Sequence, residues 1–246
     1  MFFSFNAGKY AIAFEGFSLV WYAKAFANPL IVKALTASLI VAGATALIAT
    51  TAGTLCALGL ERTQGLIRQV FDGLIYVAIM VPGVVIGIST LIAFVTLFDA
   101  VNPTLIALAG FKLEMGLWTV IAAHVLFNIA VVVLIIRARL AGMDRRLIEA
   151  SEDLYATPSG TFRQVVLPLL LPSILASLLL AFTFSFEDFI ISFFVAGPNT
   201  TLPNYVFASI RRGVTPEINA VGSVVLVTSL ALLVLAQFLM RARTRG

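Results

Sequence analysis

Five times along this chain the residues stay almost wholly apolar for twenty positions or more, at about 31–60, 71–98, 115–136, 166–196 and 218–240. That run length constrains the fold more than any other feature. A helix rises about 1.5 Å per residue and a bilayer's hydrocarbon layer is about 30 Å thick, so about 20 apolar residues cross it. Inside that layer every backbone polar group must be satisfied internally, as a helix does within its own segment. A soluble domain could not cover with polar surface a chain that is 61% hydrophobic and 11% charged. The expected fold is therefore all-α: a polytopic membrane helical bundle forming a single transmembrane domain over residues 1–246. Gly43, Gly53, Pro82, Gly83 and Gly87 fall inside the spans, as is tolerated where helices pack closely.

Several kinds of chemistry drop out. Cys56 is the only cysteine and sits in an apolar run, so it reads as a small core residue, with no disulfide framework and no thiolate metal site. His124 is the only histidine, which argues against a multi-histidine metal centre. It shares a helix face with Asn128, and an interhelical hydrogen bond is the expected use of both. No catalytic residue set stands out. The sequence also lacks the G-x-x-x-x-G-K-[ST] phosphate loop, so hydrolysis of ATP would have to take place on a partner.

The basic residues set the topology. Segments 61–70, 137–165 and 241–246 hold Arg62, Arg68, Arg137, Arg139, Arg145, Arg146, Arg163, Arg241, Arg243 and Arg245. The opposite side holds Lys9, Lys24, Lys33, Lys112, Arg211 and Arg212. By the positive-inside rule the arginine-rich side and the C-terminus are cytoplasmic. The basic balance thus reflects topology and requires no nucleic acid. Five spans then place the N-terminus outside, and no cleavable signal peptide is visible ahead of them.

Between Arg139 and Leu169 a polar island interrupts the spans. Asp144 is placed to cap a short helix in which Leu147, Ala150, Ser151 and Leu154 recur at helical spacing, flanked by Ile148 and Tyr155. Thr157 precedes Pro158, a pair that closes this helix and opens a second. Helices that lie on lipid favour Lys and Arg on their polar face. This one carries Glu149, Glu152 and Asp153, which an anionic leaflet repels. A protein partner is the expected occupant.

Glu149-Ala150-Ser151, followed by Val165, Leu167 and Pro168, resembles the EAA motif of permease subunits of binding-protein-dependent ABC importers. That motif runs Glu-Ala-Ala, three residues, Gly, nine residues, Ile, one residue, Leu-Pro. The spacing matches throughout, with Ser151 in place of the second Ala and Tyr155 in place of the Gly. SFN at 4–6, GF and WY within 16–22, and the stretch 185–220 resemble the second permease of polyamine (spermidine/putrescine-type) importers. The resemblance covers nearly the whole chain from Phe3, and Gly83 departs from it where such permeases tend to carry an acid.

The resemblance implies a type I ABC importer permease fold with six spans, SFN following the first, so five spans here read as that fold without its first helix. It further implies a multi-pass protein of a bacterial inner membrane. Its partners would be a second permease subunit in a heterodimer, two cytoplasmic ATPase subunits that use ATP and Mg, a periplasmic substrate-binding protein and membrane lipid. This chain would bind no cofactor itself. The island becomes the ATPase-coupling helix: Leu147, Ile148 and Leu154 would fill a groove of the ATPase, and Glu149 would meet a basic or N–H-rich patch. Ala150, Ser151, Asp153, Tyr155, Leu167 and Pro168 complete the coupling set. Glycine permits a tight bend that tyrosine does not readily copy, so the turn at Tyr155 is expected to differ from the family's.

Candidates for the translocation path are Glu187 and Asp188, because carboxylates in an apolar segment mark a functional site by default. Adjacent helical positions point about 100° apart, so one of the two would line the path. Trp21 and Tyr22 read as interfacial aromatics or as a cation–π surface for an amine. The solute is read as a polyamine or related organic cation. Another small solute (an opine or amino acid derivative) and a secondary transporter stand as alternatives.

Overall fold

The computed structural model describes residues 2–8, 14–211 and 216–243, with side-chain surroundings as far as residue 230. Lys9, Arg212 and Arg245, counted in the topology argument, lie outside the described residues. The chain forms a short 3-10 turn at Phe2–Phe5 and then α1 (Val20–Ala27), α2 (Pro29–Glu61), α3 (Gly65–Met80), α4 (Gly83–Ala109) and α5 (Leu117–Ala141). After these come α6 (Arg146–Asp153), α7 (Pro158–Thr161), a π turn (Phe162–Val166), α8 (Leu167–Glu187), α9 (Ile190–Val195), α10 (Leu202–Ile210) and α11 (Pro216–Arg243). Among the described residues there is no strand, only an isolated bridge between Asn6 and Phe17.

Among the described residues four helical stretches are long and apolar enough to cross a membrane: Pro29–Glu61, Gly83–Ala109, Leu117–Ala141 and Pro158–Glu187. The described apolar part of α11, Pro216–Leu230, belongs to a helix of 28 residues. Two of the expected spans need correcting. The stretch 71–98 is not one helix. Val81 is extended, as the residue before a proline prefers, and Pro82 leads into α4. The helix then runs on through Pro103 to Ala109 and ends on a left-handed Gly110. The stretch 166–196 likewise breaks after Glu187, and α9 begins at Ile190. The first break lies in apolar sequence, where hydrophobic content does not separate one helix from two, whereas the second falls at the acids Glu187 and Asp188.

The chain divides into two compact units, one of residues 1–42, 82–123 and 186–246, the other of 43–81 and 124–185. In the first, Val41, Val120, Ala123, Ile191, Val195 and Ala196 form the core. Thr119 pins it, its Oγ1 lying 2.6 Å from the Val195 carbonyl and 2.7 Å from that of Gly116. In the second unit, Ala46, Ala57 and Leu60 of α2 pack with Ala130, Val132, Val133 and Ile136 of α5, and with Ile75, Leu170 and Ala181. His124 meets Ser185 of α8 at 2.7 Å, the expected interhelical bond, whereas Asn128 donates to the His124 carbonyl of its own helix. Arg137 on α5 pairs with Asp72 on α3, and Arg68 approaches the same carboxylate at 4.0 Å.

Gly53 shows why α2 is rich in small residues. A Cβ there would lie 2.7 Å from Val132 Cγ1 and 3.2 Å from the Ile129 carbonyl oxygen. Helices α2 and α5 therefore meet at close range, as small residues allow. Gly53→Val is expected to destabilise the protein by about 1–3 kcal/mol through overpacking. The thermal unfolding midpoint in detergent checks this, and a midpoint equal to wild type would show that the approach is not tight.

Candidate coupling loop and translocation path

The island folds from local signals at each end. Asp144 Oδ1 accepts from the Arg146 N–H at 3.0 Å, so the capping side chain sits just ahead of α6. At the other end Ala156 N–H donates to the Ser151 carbonyl (3.1 Å) and Tyr155 N–H to the Glu152 carbonyl (2.9 Å). These are the paired 6→1 and 5→2 bonds of a Schellman ending, whose crossover residue must be left-handed. Tyr155 is that residue, at φ +58°. The expectation that tyrosine alters the turn is therefore corrected. The left-handed backbone that glycine favours is present, and tyrosine bears its steric cost with the side chain 96% exposed.

Tyr155→Gly is expected to relieve that cost by about 1 kcal/mol, part of it offset by glycine's greater unfolded-state freedom. Amide hydrogen exchange at residues 155–156 should slow about fivefold. Exchange that is unchanged or faster would show that the turn carries no strain.

Thr157 Oγ1 accepts from Gly160 N–H at 3.2 Å. Pro158 takes the first position of α7, where its missing N–H costs nothing. Two further links stiffen the loop. Ser151 Oγ lies 3.0 Å from Thr161 Oγ1, tying α6 to α7, a bond the motif's usual alanine could not make. Arg139 Nε donates to the Leu169 carbonyl at 3.2 Å, which joins the two ends of the island. The backbone widens into the π turn just before Leu167 and Pro168. Prolines 168 and 172 bring no amide donors to the turns that follow.

The faces of α6 then differ. Leu147, Leu154, Glu149, Ala150 and Asp153 are exposed. Ile148 is half-buried and, with Glu149 and Glu152, lines a cavity of about 610 Å³ against Arg62, Arg145 and Phe162. Leu147 on α6 and Leu154 just past its end thus stand uncovered among charged residues, while Ile148 faces its own chain.

The path candidates separate. Glu187 is the exposed last residue of α8. Asp188 lies outside any helix, and its Oδ1 accepts from the N–H groups of Ile191 (2.9 Å) and Ser192 (3.1 Å), capping α9. The two acids are not neighbours on one helix, as the sequence suggested, because the helix ends between them. Trp21 is buried in its own unit instead of lying open as an interfacial ring, and Lys24 Nζ sits 4.4 Å from its centroid. Tyr22 donates from its hydroxyl to Ser4 Oγ at 2.8 Å and packs on Phe5. Both aromatics of the WY pair therefore have partners within the chain. The sequence reading passed over the Ser151–Thr161 and Arg139–Leu169 links and the Asp72–Arg137 pair. Only the last had a signal, an arginine at the edge of an apolar span.

A bundle of membrane helices that presents a rigid, capped helix in a polar loop has the architecture of the membrane-spanning part of a transporter. The chain belongs to the family of inner membrane components of binding-protein-dependent transport systems, whose model matches residues 49–245. It is 35% identical over 239 residues to the spermidine/putrescine transport system permease protein PotC of Haemophilus influenzae, covering 97% of this chain and 88% of that protein. It is 32% identical to PotC of Escherichia coli over 99% of this chain and 87% of that one. With the putrescine transport system permease protein PotI of Escherichia coli it shares 38% identity, over 91% of this chain and 78% of that protein.

Solved structures confirm the fold. A bacterial ABC transporter involved in the import of the acidic polysaccharide alginate superposes with a TM-score of 0.73 at 15% identity, covering 93% of this chain and 85% of that one. The methionine transporter MetNI, in an inward-facing conformation, gives 0.64 at 17% identity, over 88% of this chain and 95% of that one. This protein is thus homologous to polyamine importer permeases and has the fold of ABC-transporter permeases.

Proposed function

We propose that this chain passes a polyamine or related organic cation across a bacterial inner membrane as one permease of an ABC importer. The solute is handed over by a periplasmic binding protein, and a second permease completes the pathway. Two ATPase subunits that use ATP and Mg supply the energy at α6, on the cytoplasmic side together with the C-terminus. The chain binds no cofactor and performs no catalysis of its own. The similarity to spermidine and putrescine permeases over nearly the whole chain carries the solute assignment. Leu147 on a rigid helix and Leu154 just past its end, both left uncovered, support the docking assignment.

The test is uptake into proteoliposomes holding the assembled importer, with labelled putrescine or spermidine competed by neutral amino acid derivatives and opines. ATP-dependent accumulation of the polyamine, insensitive to those competitors, is expected. Accumulation of a competitor in its place would reassign the solute. Uptake driven by an ion gradient without ATP would make the chain a secondary transporter.

A further inference from the structure

The cavity of about 610 Å³ beside α6 lies within the second unit, and its wall is assembled where three membrane-crossing stretches end or begin. Leu58 and Glu61 come from the end of α2, and Leu140 from the end of α5. Pro158, Phe162 and Val166 come from the start of the stretch that continues into α8. A cavity at the ends of spans sits where hydrocarbon gives way to headgroups. The charge asymmetry of the sequence assigns that edge to the cytoplasmic leaflet. Its volume falls within the range of small-molecule pockets, about 300–1,000 Å³.

Part of the lining is apolar: Leu58, Leu140 and Val166 are half-buried against the core of the unit. The charged lining carries both signs, Arg62 and Arg145 with Glu61, Glu149 and Glu152. Among the described residues none of these five makes an ion pair within 4.0 Å or a side-chain hydrogen bond. Elsewhere in the same unit Asp72 pairs with Arg137 and Arg68, so charges are matched where they reach one another. Opposite charges held apart around one cavity are bridged by a ligand that itself carries both signs. A polycation would meet the two guanidiniums, and a purely anionic group the three carboxylates. A phosphate ester beside a primary ammonium suits both. Its phosphate accepts from Arg62 and Arg145, since guanidiniums offer paired N–H donors to phosphate oxygens. Its ammonium donates to Glu61 and Glu152, and apolar chains on the same molecule lie along Leu58, Leu140 and Val166.

We propose that this cavity holds the headgroup of a zwitterionic aminophospholipid of the cytoplasmic leaflet. The bound lipid props α6 from the side of Ile148 and Glu152. Leu147 and Leu154, which do not line the cavity, stay free for the ATPase. The choice of leaflet rests on the topology given above, whereas the lipid site itself does not depend on which solute is carried.

The test uses the complete importer, stripped of lipid in detergent and followed by native mass spectrometry as phosphatidylethanolamine, phosphatidylcholine or phosphatidylglycerol is added. Phosphatidylethanolamine should bind about tenfold more tightly than either of the others, because phosphatidylcholine lacks ammonium N–H donors and phosphatidylglycerol lacks a cation. The paired variants Arg62→Gln with Arg145→Gln, and Glu61→Gln with Glu152→Gln, should each lose that tight binding. Without lipid their thermal midpoints should match wild type, since surface substitutions that break no contact are close to neutral. Added phosphatidylethanolamine should raise the wild-type midpoint and leave those of the variants in place. Phosphoethanolamine, the headgroup without chains, should fail to displace the lipid. Displacement by it at equal concentration would make the occupant a soluble zwitterion and overturn the lipid assignment. Equal binding of phosphatidylethanolamine by wild type and both paired variants, or phosphatidylglycerol bound as tightly as phosphatidylethanolamine, would overturn the site. Those results leave the permease reading intact, and only a wild-type importer without ATP-driven uptake in any lipid mixture would count against it.

Discussion

Glu149→Lys is expected to leave the protein in the membrane and to reduce ATP-driven uptake below a tenth of wild type. Glu149 lies in the first turn of α6. The helix dipole favours an acid there, so reversing its charge costs the helix about 0.3–1 kcal/mol locally. That is too little to unfold a helix held by Asp144, by the Schellman ending at Tyr155 and by the Ser151–Thr161 link. The cost at a docked interface is larger. A like charge placed against a basic or N–H-rich patch costs several kcal/mol. A tenfold loss of affinity needs only about 1.4 kcal/mol. Uptake and ATP hydrolysis measured together in proteoliposomes give the result: hydrolysis should persist or fall independently of transport. Glu149→Gln, which removes charge without reversing it, should fall between the two. Uptake by Glu149→Lys equal to wild type would remove α6 from the coupling path.

The paired change Glu187→Gln with Asp188→Asn is expected to lower uptake of a divalent organic cation about tenfold or more while sparing docking of the ATPase. Asparagine keeps an amide oxygen where Asp188 Oδ1 accepts from Ile191 and Ser192, and the two residues cap helices about equally well. Helix α9 should therefore survive, and the variant should report charge alone. An ionised carboxylate near hydrocarbon is retained at a cost that a passing cation offsets. Asp188→Leu is the contrasting control. It loses both cap and charge and should cost about 1 kcal/mol of stability on top of the transport defect. If uptake is unaffected by the Gln/Asn pair but falls in Asp188→Leu, Asp188 acts as a helix cap only and Glu187 as a surface acid.

Much of the coupling loop was legible because its signals are local. Asp144, Thr157 and Pro158 mark where helices start from within a few residues of themselves, and each is used in the structure as the sequence suggested. Tyr155 was misread for a physical reason. Sequence reports that glycine prefers left-handed backbone but not that the hydrogen bonds from Tyr155 and Ala156 back into α6 are strong enough to hold a tyrosine there. Asp188 was half-read: the acid was noticed, but its role as a cap depends on α8 stopping one residue earlier.

Run length alone determined that this chain is a helical membrane protein, since hydrocarbon thickness and helix rise translate directly into residue counts. Charge asymmetry supplied its expected topology, and the caps marked out its polar helix. Tertiary structure decided what depends on residues far apart in the chain. Gly53 is needed because Val132 lies against it, and Trp21 is buried because α1 folds into its own unit. Residue 197 must be a glycine because the Met115 carbonyl, far from it in sequence, lies where a Cβ would go. Local sequence sets backbone preference and polarity, whereas close approach, burial and unpaired charge are properties of what the fold places opposite each residue.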